Sequence, residues 1–260
     1  MLLKLRAILI AATLLSTFSL MGGVTIVTES IETKTKEKNV GVFLIDGDNV
    51  RIEPQENGDQ TILYNLKEKT VTVLNHKEKS YMSMTKDQID KMKVQMKTQM
   101  KAIMEQQKAA LSQLAPEQRA AVEAQMKMMS GEEDKTPVKY TKTGKTAKWN
   151  GKTCVYYTGT KNGVKVEEMC TVPSKQLKCS MIELERLVQI GNDYSMDGQG
   201  DPSWQEFKTR GVPVKNVTYK DGKILGTHSI VSISKTKIGI EKFKIPKGYK
   251  KTEMPKMPGK

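Results

Sequence analysis

Between Val24 and Met84, apolar residues alternate with polar ones in short runs separated by turn-forming residues. Val24-Thr25-Ile26-Val27 opens the series. Val40, Val42 and Leu44 lead to Asp46-Gly47, and Val50 and Ile52 continue beyond it. Ile62, Tyr64 and Leu66 follow Asn57-Gly58; Val71 and Val73 follow Lys67-Glu68-Lys69; Tyr81 and Met82 follow His76-Lys77-Glu78. Such runs predict a meander of about six antiparallel strands, one face buried and one wet.

The period then changes. Ile89, Met92, Met96, Met100, Ile103, Leu111 and Leu114 recur at helical spacing, and Val122, Met126 and Met129 form a shorter stripe beyond Pro116. Thr85 with Gln88 has the spacing of a capping box, and Pro116-Glu117 suits the first turn of a second helix ending near Met129. Residues 85–130 thus read as a helical insertion. Strands are expected again at Val138–Trp149 and Lys152–Thr160, with a turn at Asn162-Gly163 and a return through Cys170. Ser174 to Asp193 carries Leu177, Met181, Leu184, Leu187 and Ile190 and reads as a helix. After a glycine- and acid-rich loop from Tyr194 to Ser203, Val212–Val217, Ile224–Ile233, Ile238–Ile240 and Phe243–Ile245 read as the last sheet segment. The fold class is α+β, an antiparallel sheet with methionine-rich helices laid over it.

The amino end falls outside this pattern. Lys4 and Arg6 precede an apolar run from Ala7 to Met21, with Ser19, Gly22 and Gly23 as small residues near its end. This is the form of a secretory signal peptide over residues 1–23, too short for a stable membrane span. No cysteine follows it, so a lipid-anchored amino terminus is not expected. No later segment is apolar enough to span a bilayer. Residues 24–249 are expected to form one domain, periplasmic or secreted, and the charged, proline-containing residues 250–260 a disordered basic tail.

Charge adds a possible partner. The chain carries a formal net charge of +14, and from Lys235 to Lys260 nine lysines stand against Glu241 and Glu253. Lys242, Lys244, Lys247, Lys250 and Lys251 would attract anionic lipid headgroups, lipopolysaccharide or acidic polymers, or simply keep the protein soluble. Scarce arginine, few aromatics and export argue against nucleic acid.

Export permits a disulfide among Cys154, Cys170 and Cys179. A three-residue loop Lys161-Asn162-Gly163 would place Cys154 opposite Cys170, the preferred pair; Cys170 with Cys179 is the fallback. The spacing is not CxxC, so a redox role is not expected. Met92, Met96, Met100 and Ile103 admit three readings: core packing, a ligand-facing surface for acyl groups, or a soft-metal site through sulfur. No cysteine or histidine lies near them in sequence, which weakens the last. Asp193, Ser195, Asp197 and Asp201, with Gly198, match part of a calcium loop. Trp204 stands where the bidentate glutamate is needed, so this is a weak candidate and no metal site is assigned. His76 in a turn and His228 in a strand are the only histidines, and no hydrolase or phosphate-loop motif occurs. No cofactor and no catalytic residue are assigned, and a non-enzymatic protein is expected.

The segments "VRIE", "TILYNLKEKTVTVLNHKEKSYMSMT", "WNGKTCVYYTGTKNGVKVEEMC" and "FKIPKGYKK", in that order, resemble the bacterial exported domain-of-unknown-function family numbered forty-four twelve. Members of that family have a LolA-like lipoprotein-carrier fold. The resemblance implies a strongly curved antiparallel sheet, a half-barrel, with helices over its concave face and an apolar gap that accepts acyl chains. The function it implies is binding of a lipid, acyl chain or lipid-modified partner between sheet and helices. The alternative is a structural or surface-interaction envelope protein with a filled core and a basic polymer- or membrane-facing surface.

Overall fold

The protein is described here from a computed structural model, over residues 22–54, 58–111, 136–194 and 209–253. The signal-peptide candidate as far as residue 21, the expected second methionine-striped helix, Ser195, Asp197 and Asp201 of the calcium-loop candidate, and the chain beyond residue 253 lie outside the described residues.

The amino-terminal meander is β1 (Gly23–Glu32), β2 (Lys38–Asp46), β3 (Asn49–Pro54), β4 (Gln60–Asn65), β5 (Thr70–Asn75) and β6 (Ser80–Thr85). Two of its turns are the same device used twice. In Asn65-Leu66-Lys67-Glu68 and Asn75-His76-Lys77-Glu78, the asparagine carboxamide oxygen accepts the glutamate N–H at 2.9 and 3.0 Å. Helix α1 (Lys86–Leu111) starts on a capping box: Gln88 N–H donates to Thr85 Oγ1 at 3.3 Å, and Thr85 N–H to Gln88 Oε1 at 2.9 Å.

The second run of strands is β7 (Lys139–Trp149), β8 (Lys152–Lys161), β9 (Val164–Val172), β10 (Val212–Lys220) and β11 (Lys223–Thr236), with α2 (Met181–Tyr194) between β9 and β10. The helix expected from Ser174 begins instead as a short 3-10 turn over Ser174–Gln176. Helix α2 starts only after Ser180, where a second capping box forms: Ser180 N–H to Glu183 Oε2 at 2.6 Å and Glu183 N–H to Ser180 Oγ at 3.3 Å.

All strands join one sheet in the order β12-β6-β5-β4-β3-β2-β1-β11-β10-β9-β8-β7, antiparallel except where β12 (Lys250–Lys251) runs parallel to β6. The two meanders are zipped together by β1 and β11. The sheet is open but sharply curled at one end. In a flat sheet β7 and β11, with three strands between them, would stand about 19 Å apart at 4.8 Å per step. Here Trp149 Nε1 in β7 donates to the Ile230 carbonyl of β11 at 2.5 Å, and Asn150 Nδ2 donates to the Val231 carbonyl at 2.9 Å. The registered pairing of β10 with β11 ends at Lys215 and Ser229, so the tip of the β7–β8 hairpin docks where β10 has left its neighbour.

Helix α2 fills the face inside this curl. Leu184, Ile190 and Cys179 pack with Val24, Ile26, Ile45, Val50, Val212 and Ile233, and Met181, Leu187, Tyr64 and Trp149 close around them. Each fully buried aliphatic side chain contributes about 1.5–3 kcal/mol, so this cluster is a main source of stability.

Three expectations need correction. Residues Ile238–Ile245 do not form strands; Ile240–Phe243 is a 3-10 turn, because Pro246 and the docking of Ile238 beside Gly23 hold the segment flat on the back of the sheet. The basic tail is not disordered from residue 250. Lys250 N–H donates to Lys79 O at 2.9 Å and Thr252 N–H to Tyr81 O at 2.8 Å, covering the edge of β6. Finally, the β8–β9 loop has two residues, with Lys161 facing Val164, where three were expected. Yet Cys154 and Cys170 are bonded, with Cα atoms 5.4 Å apart. A bulge at Gly159/Thr160 puts Tyr156 opposite Cys170, and the bridge runs diagonally between positions on one face.

Candidate functional site

Of the residues expected to face a ligand, α1 carries all four, but the sheet does not cover them all. Helix α1 touches β6 at its start and α2 beside it. Ile89 is buried, Met92 and Met96 are half-buried, and Ile103 is 49% exposed. Met100 continues the same helix, and its side chain lies outside the described residues. The apolar stripe therefore begins in the core and runs out from the sheet.

Charge alone predicts that Lys93, Lys97 and Lys101 face water; Lys97 and Lys101 do, but Lys93 is only 7% exposed. Lys93 Nζ donates to the Asp193 carbonyl at 2.8 Å and lies 3.8 Å from Asp90 Oδ1. Asp193 sits in the last turn of α2, where the carbonyl ends of the helix favour a cation. Thus Asp193 ties α2 to α1 through its backbone. One turn earlier, Lys86 Nζ reaches Asp90 Oδ2 at 2.7 Å, and this hydrogen bond holds the exposed Asp90 carboxyl below its ordinary range. Among the described residues, no group of three or more His, Cys, Asp or Glu side chains converges to hold a metal ion.

The thiol of Cys179 is buried beside α2, and desolvation pushes its pKa up to about 11. It stays protonated and unreactive at neutral pH. Cys154 and Cys170 form a second small cluster with Val172 and Val214, a staple rather than a reactive pair.

Sequence reasoning missed a polar constellation on the back of the sheet. Thr61 Oγ1 and His76 Nε2 lie 2.8 Å apart, and His76 Nδ1 lies 2.6 Å from the Tyr249 hydroxyl, 173 residues away. Arg51 Nε donates to Glu53 at 2.6 Å, and Arg51 Nη1 to the Lys242 carbonyl at 2.7 Å. Together these fasten the carboxyl-terminal segment across β3, β4 and the β5–β6 turn. A cleft of about 390 Å³ opens between Arg51, Glu53, Gln60, Thr61 and His76. Every polar atom named here is committed to a protein partner, so the arrangement acts as a fastening before it acts as chemistry. Its only advance signal was the pair of Asn-x-Lys-Glu-Lys turns, in which Leu66 and His76 occupy the same place.

A second cleft, of about 410 Å³, lies at the opposite side of the sheet's midline, bounded by Ser30, Ile31, Lys34, Leu225 and His228. Desolvation lowers the His228 pKa. Among the described residues, neither cleft is lined by α1 or α2.

The sequence family described as Domain of unknown function (DUF4412) matches residues 84–249. No curated protein matches the chain in sequence. Among solved structures, an uncharacterized conserved protein from Thermus thermophilus aligns over 90% of this chain and 91% of its own, at 9% identity and a TM-score of 0.43. MucB aligns over 86% of this chain and 57% of its own, at 8% identity and a TM-score of 0.38. PNGF-II aligns over 89% of this chain and 31% of its own, at 10% identity and a TM-score of 0.35. The chain thus spans little more than half of MucB and under a third of PNGF-II.

Proposed function

We propose that this chain, which belongs to the DUF4412 family of unknown function, is an exported, non-enzymatic binding protein of the cell envelope. Its ligand is apolar: a lipid, an acyl chain or the lipid modification of a partner. The site is the mouth where α1 leaves the sheet beside α2, and the curled sheet is a LolA-like half-barrel cut to hold it.

The observation that carries the reading is the course of the methionine stripe. Met92 and Met96 are half-buried, and Ile103, farther along the same stripe, is 49% exposed. An amphipathic helix normally buries its apolar stripe completely. Flexible thioethers on a partly uncovered stripe suit a chain of variable length and shape. Lys97 and Lys101, on the water-facing side of the same helix, suit an acidic headgroup.

The test is native mass spectrometry of protein purified from its own envelope, beside a Met92→Gln/Met96→Gln variant. Copurifying lipid in the first and its loss in the second supports the proposal. A clean apo mass, with no uptake of added fatty acid or phospholipid, refutes it.

One observation favours a second reading, an envelope surface-interaction protein. Helix α2 packs the inner face of the curl with Leu184, Ile190 and Met181, as a dry core requires. Under that reading a basic surface makes the contacts and the apo mass is the native one.

A further inference from the structure

The two margins of the sheet are treated differently. The chain's own β12 covers β6, whereas β7, among the described residues, has a strand on one side only. Trp149 and Asn150 turn the end of β7 onto β11, which leaves Lys139–Lys148 as the open run. Thr143 Oγ1 donates to the Tyr156 carbonyl at 3.2 Å, so the Tyr156 main chain faces β7. Alternation along β8 turns Cys154 and Thr158 the same way, towards Ala147 and Thr141. The N–H and C=O groups of Lys142, Thr146 and Lys148 therefore point away from the sheet.

Charge is polarised towards this margin. Residues 23–85, the β1–β6 half, carry eight basic side chains against ten acids, whereas residues 139–172, which make β7–β9, carry seven lysines against Glu167 and Glu168. Those two acids lie two strands in from the margin and are engaged there. Glu167 accepts the Tyr140 hydroxyl at 3.1 Å, and Glu168 is held by Lys165 at 2.8 Å. Lys139, Lys142, Lys145 and Lys148 are exposed, and no acid among the described residues pairs with them. They also flank the margin on both faces. Lys142 and Lys148 stand opposite Tyr157 and Thr153, four positions apart on β8 and so on one face; Lys139, opposite Thr160, lies on the other.

We propose that the open margin of β7 docks an acidic, extended polypeptide segment, which pairs with the outward main chain of Lys142, Thr146 and Lys148 and meets the lysines on either face. An extended segment directs successive side chains to opposite faces, so neighbouring carboxylates reach lysines above and below the sheet. A lipid surface or polysaccharide lying on one face would leave Lys139 or the Lys142–Lys148 pair unused. A second copy of the chain would set lysine against lysine, which is unfavourable across paired strands. Lysines on an exposed strand also guard it against indiscriminate pairing, and the charge that repels a like strand admits an acidic one. Helix α1 lies against β6, at the other margin, so apolar ligand uptake beside α1 can fail without affecting this proposal, and the reverse.

The experiment measures fluorescence anisotropy of three end-capped, labelled octapeptides with the purified protein at low salt. The first repeats Glu-Glu-Val-Val, the second has lysine for glutamate, and the third is the first with every second main-chain nitrogen methylated. The expected result is binding of the first, with the other two at least about tenfold weaker, since each main-chain hydrogen bond lost to methylation is worth about fivefold. Replacing Lys139, Lys142, Lys145 and Lys148 together by Gln should weaken binding by about tenfold or more, because an opposite-charge pair across two strands is worth about a factor of two. An unchanged thermal midpoint checks that this variant is folded. Amide hydrogen exchange at Lys142 and Thr146 should slow when the first peptide is added. Absence of binding would mean that the lysines only guard the margin. Equal binding of the methylated peptide would mean that charge alone is read, as a polysaccharide or lipid surface would allow. Either result, a Gln variant that binds like wild type, or unchanged exchange at Lys142 and Thr146 would overturn the proposal.

Discussion

Removing one oxygen atom tests how the carboxyl-terminal segment is held. Tyr249→Phe keeps the ring, its edge contact with His76 at a centroid distance of 5.9 Å, and the β12 pairing, and deletes only the hydroxyl 2.6 Å from His76 Nδ1. A net intramolecular hydrogen bond contributes about 0.5–1.5 kcal/mol. The adjoining cleft is polar and open, so water can take the vacated place at Nδ1 and the added penalty for an orphaned group is small. The expected loss is about 1 kcal/mol, or about 2–4 °C in Tm for a protein of this size. His76→Ala removes the bond to Thr61 as well as the ring contact and should cost about 2–3 kcal/mol. In the double variant the shared bond is counted once, so a double-mutant cycle by urea unfolding at neutral pH should return a coupling of about 1 kcal/mol with unchanged m. Additivity within about 0.3 kcal/mol would mean that this contact does not fasten the segment, and the reasoning would be wrong.

Replacing both Cys154 and Cys170 by Ala opens a loop with a sequence separation of 16 and should cost about 3 kcal/mol in denaturant unfolding, while Cys179 should react with iodoacetamide only after denaturation. Gly211→Ala should cost more than about 2 kcal/mol by thermal melting, because φ is +102° and a new Cβ would lie 2.6 Å from the Val172 carbonyl oxygen. Desolvation lowers the His228 pKa in the folded state, so its contribution to stability is full above the unfolded pKa and is lost as pH falls through the folded one. Wild type should accordingly lose more stability on acidification through that window than His228→Gln, measured by urea midpoints across the pH range.

From β2 onward the amino-terminal meander was legible because two local signals agreed: alternation fixed the faces, and asparagine- or glycine-bearing turns fixed the ends, whereas the β1–β2 turn, Thr33-Lys34-Thr35-Lys36-Glu37, carries neither residue. The Thr85 capping box likewise gave the start of α1. The start of α2 was misread although Ser180 and Glu183 carry the same signature, since the apolar spacing from Leu177 onward hid it. Lys93 stands at helical spacing from Ile89 and Met96, so the stripe itself placed it on the buried side; only its charge argued otherwise. What brought it there is a carbonyl 100 residues away. The disulfide partners were legible and their register was not, because a bulge inside a hairpin leaves no mark in the turn sequence. Residues 238–245 have the composition of strands, but their neighbours are side chains on the back of the sheet and no strand offers them a ladder. Tyr249 and His76 illustrate the limit. Each is ordinary in its local sequence, and nothing short of the folded sheet brings them together.

The zipping of β1 to β11 sets an order in time. Thr25 waits for Thr236, 211 positions later in the chain, and Tyr81 waits for Thr252, 171 positions later. A polypeptide emerging amino end first can build the β1–β6 meander from local hairpins at once, but both margins of that half-sheet then stand bare until β11 and β12 have appeared. Unpaired margins of this kind recruit other chains. Any delay in delivering β11 and β12 lengthens the interval in which the half-made sheet is adhesive. A truncated product lacking β11 and β12 would keep both margins open for good, so its expected fate is to aggregate or be degraded, not to persist as a smaller version of the protein.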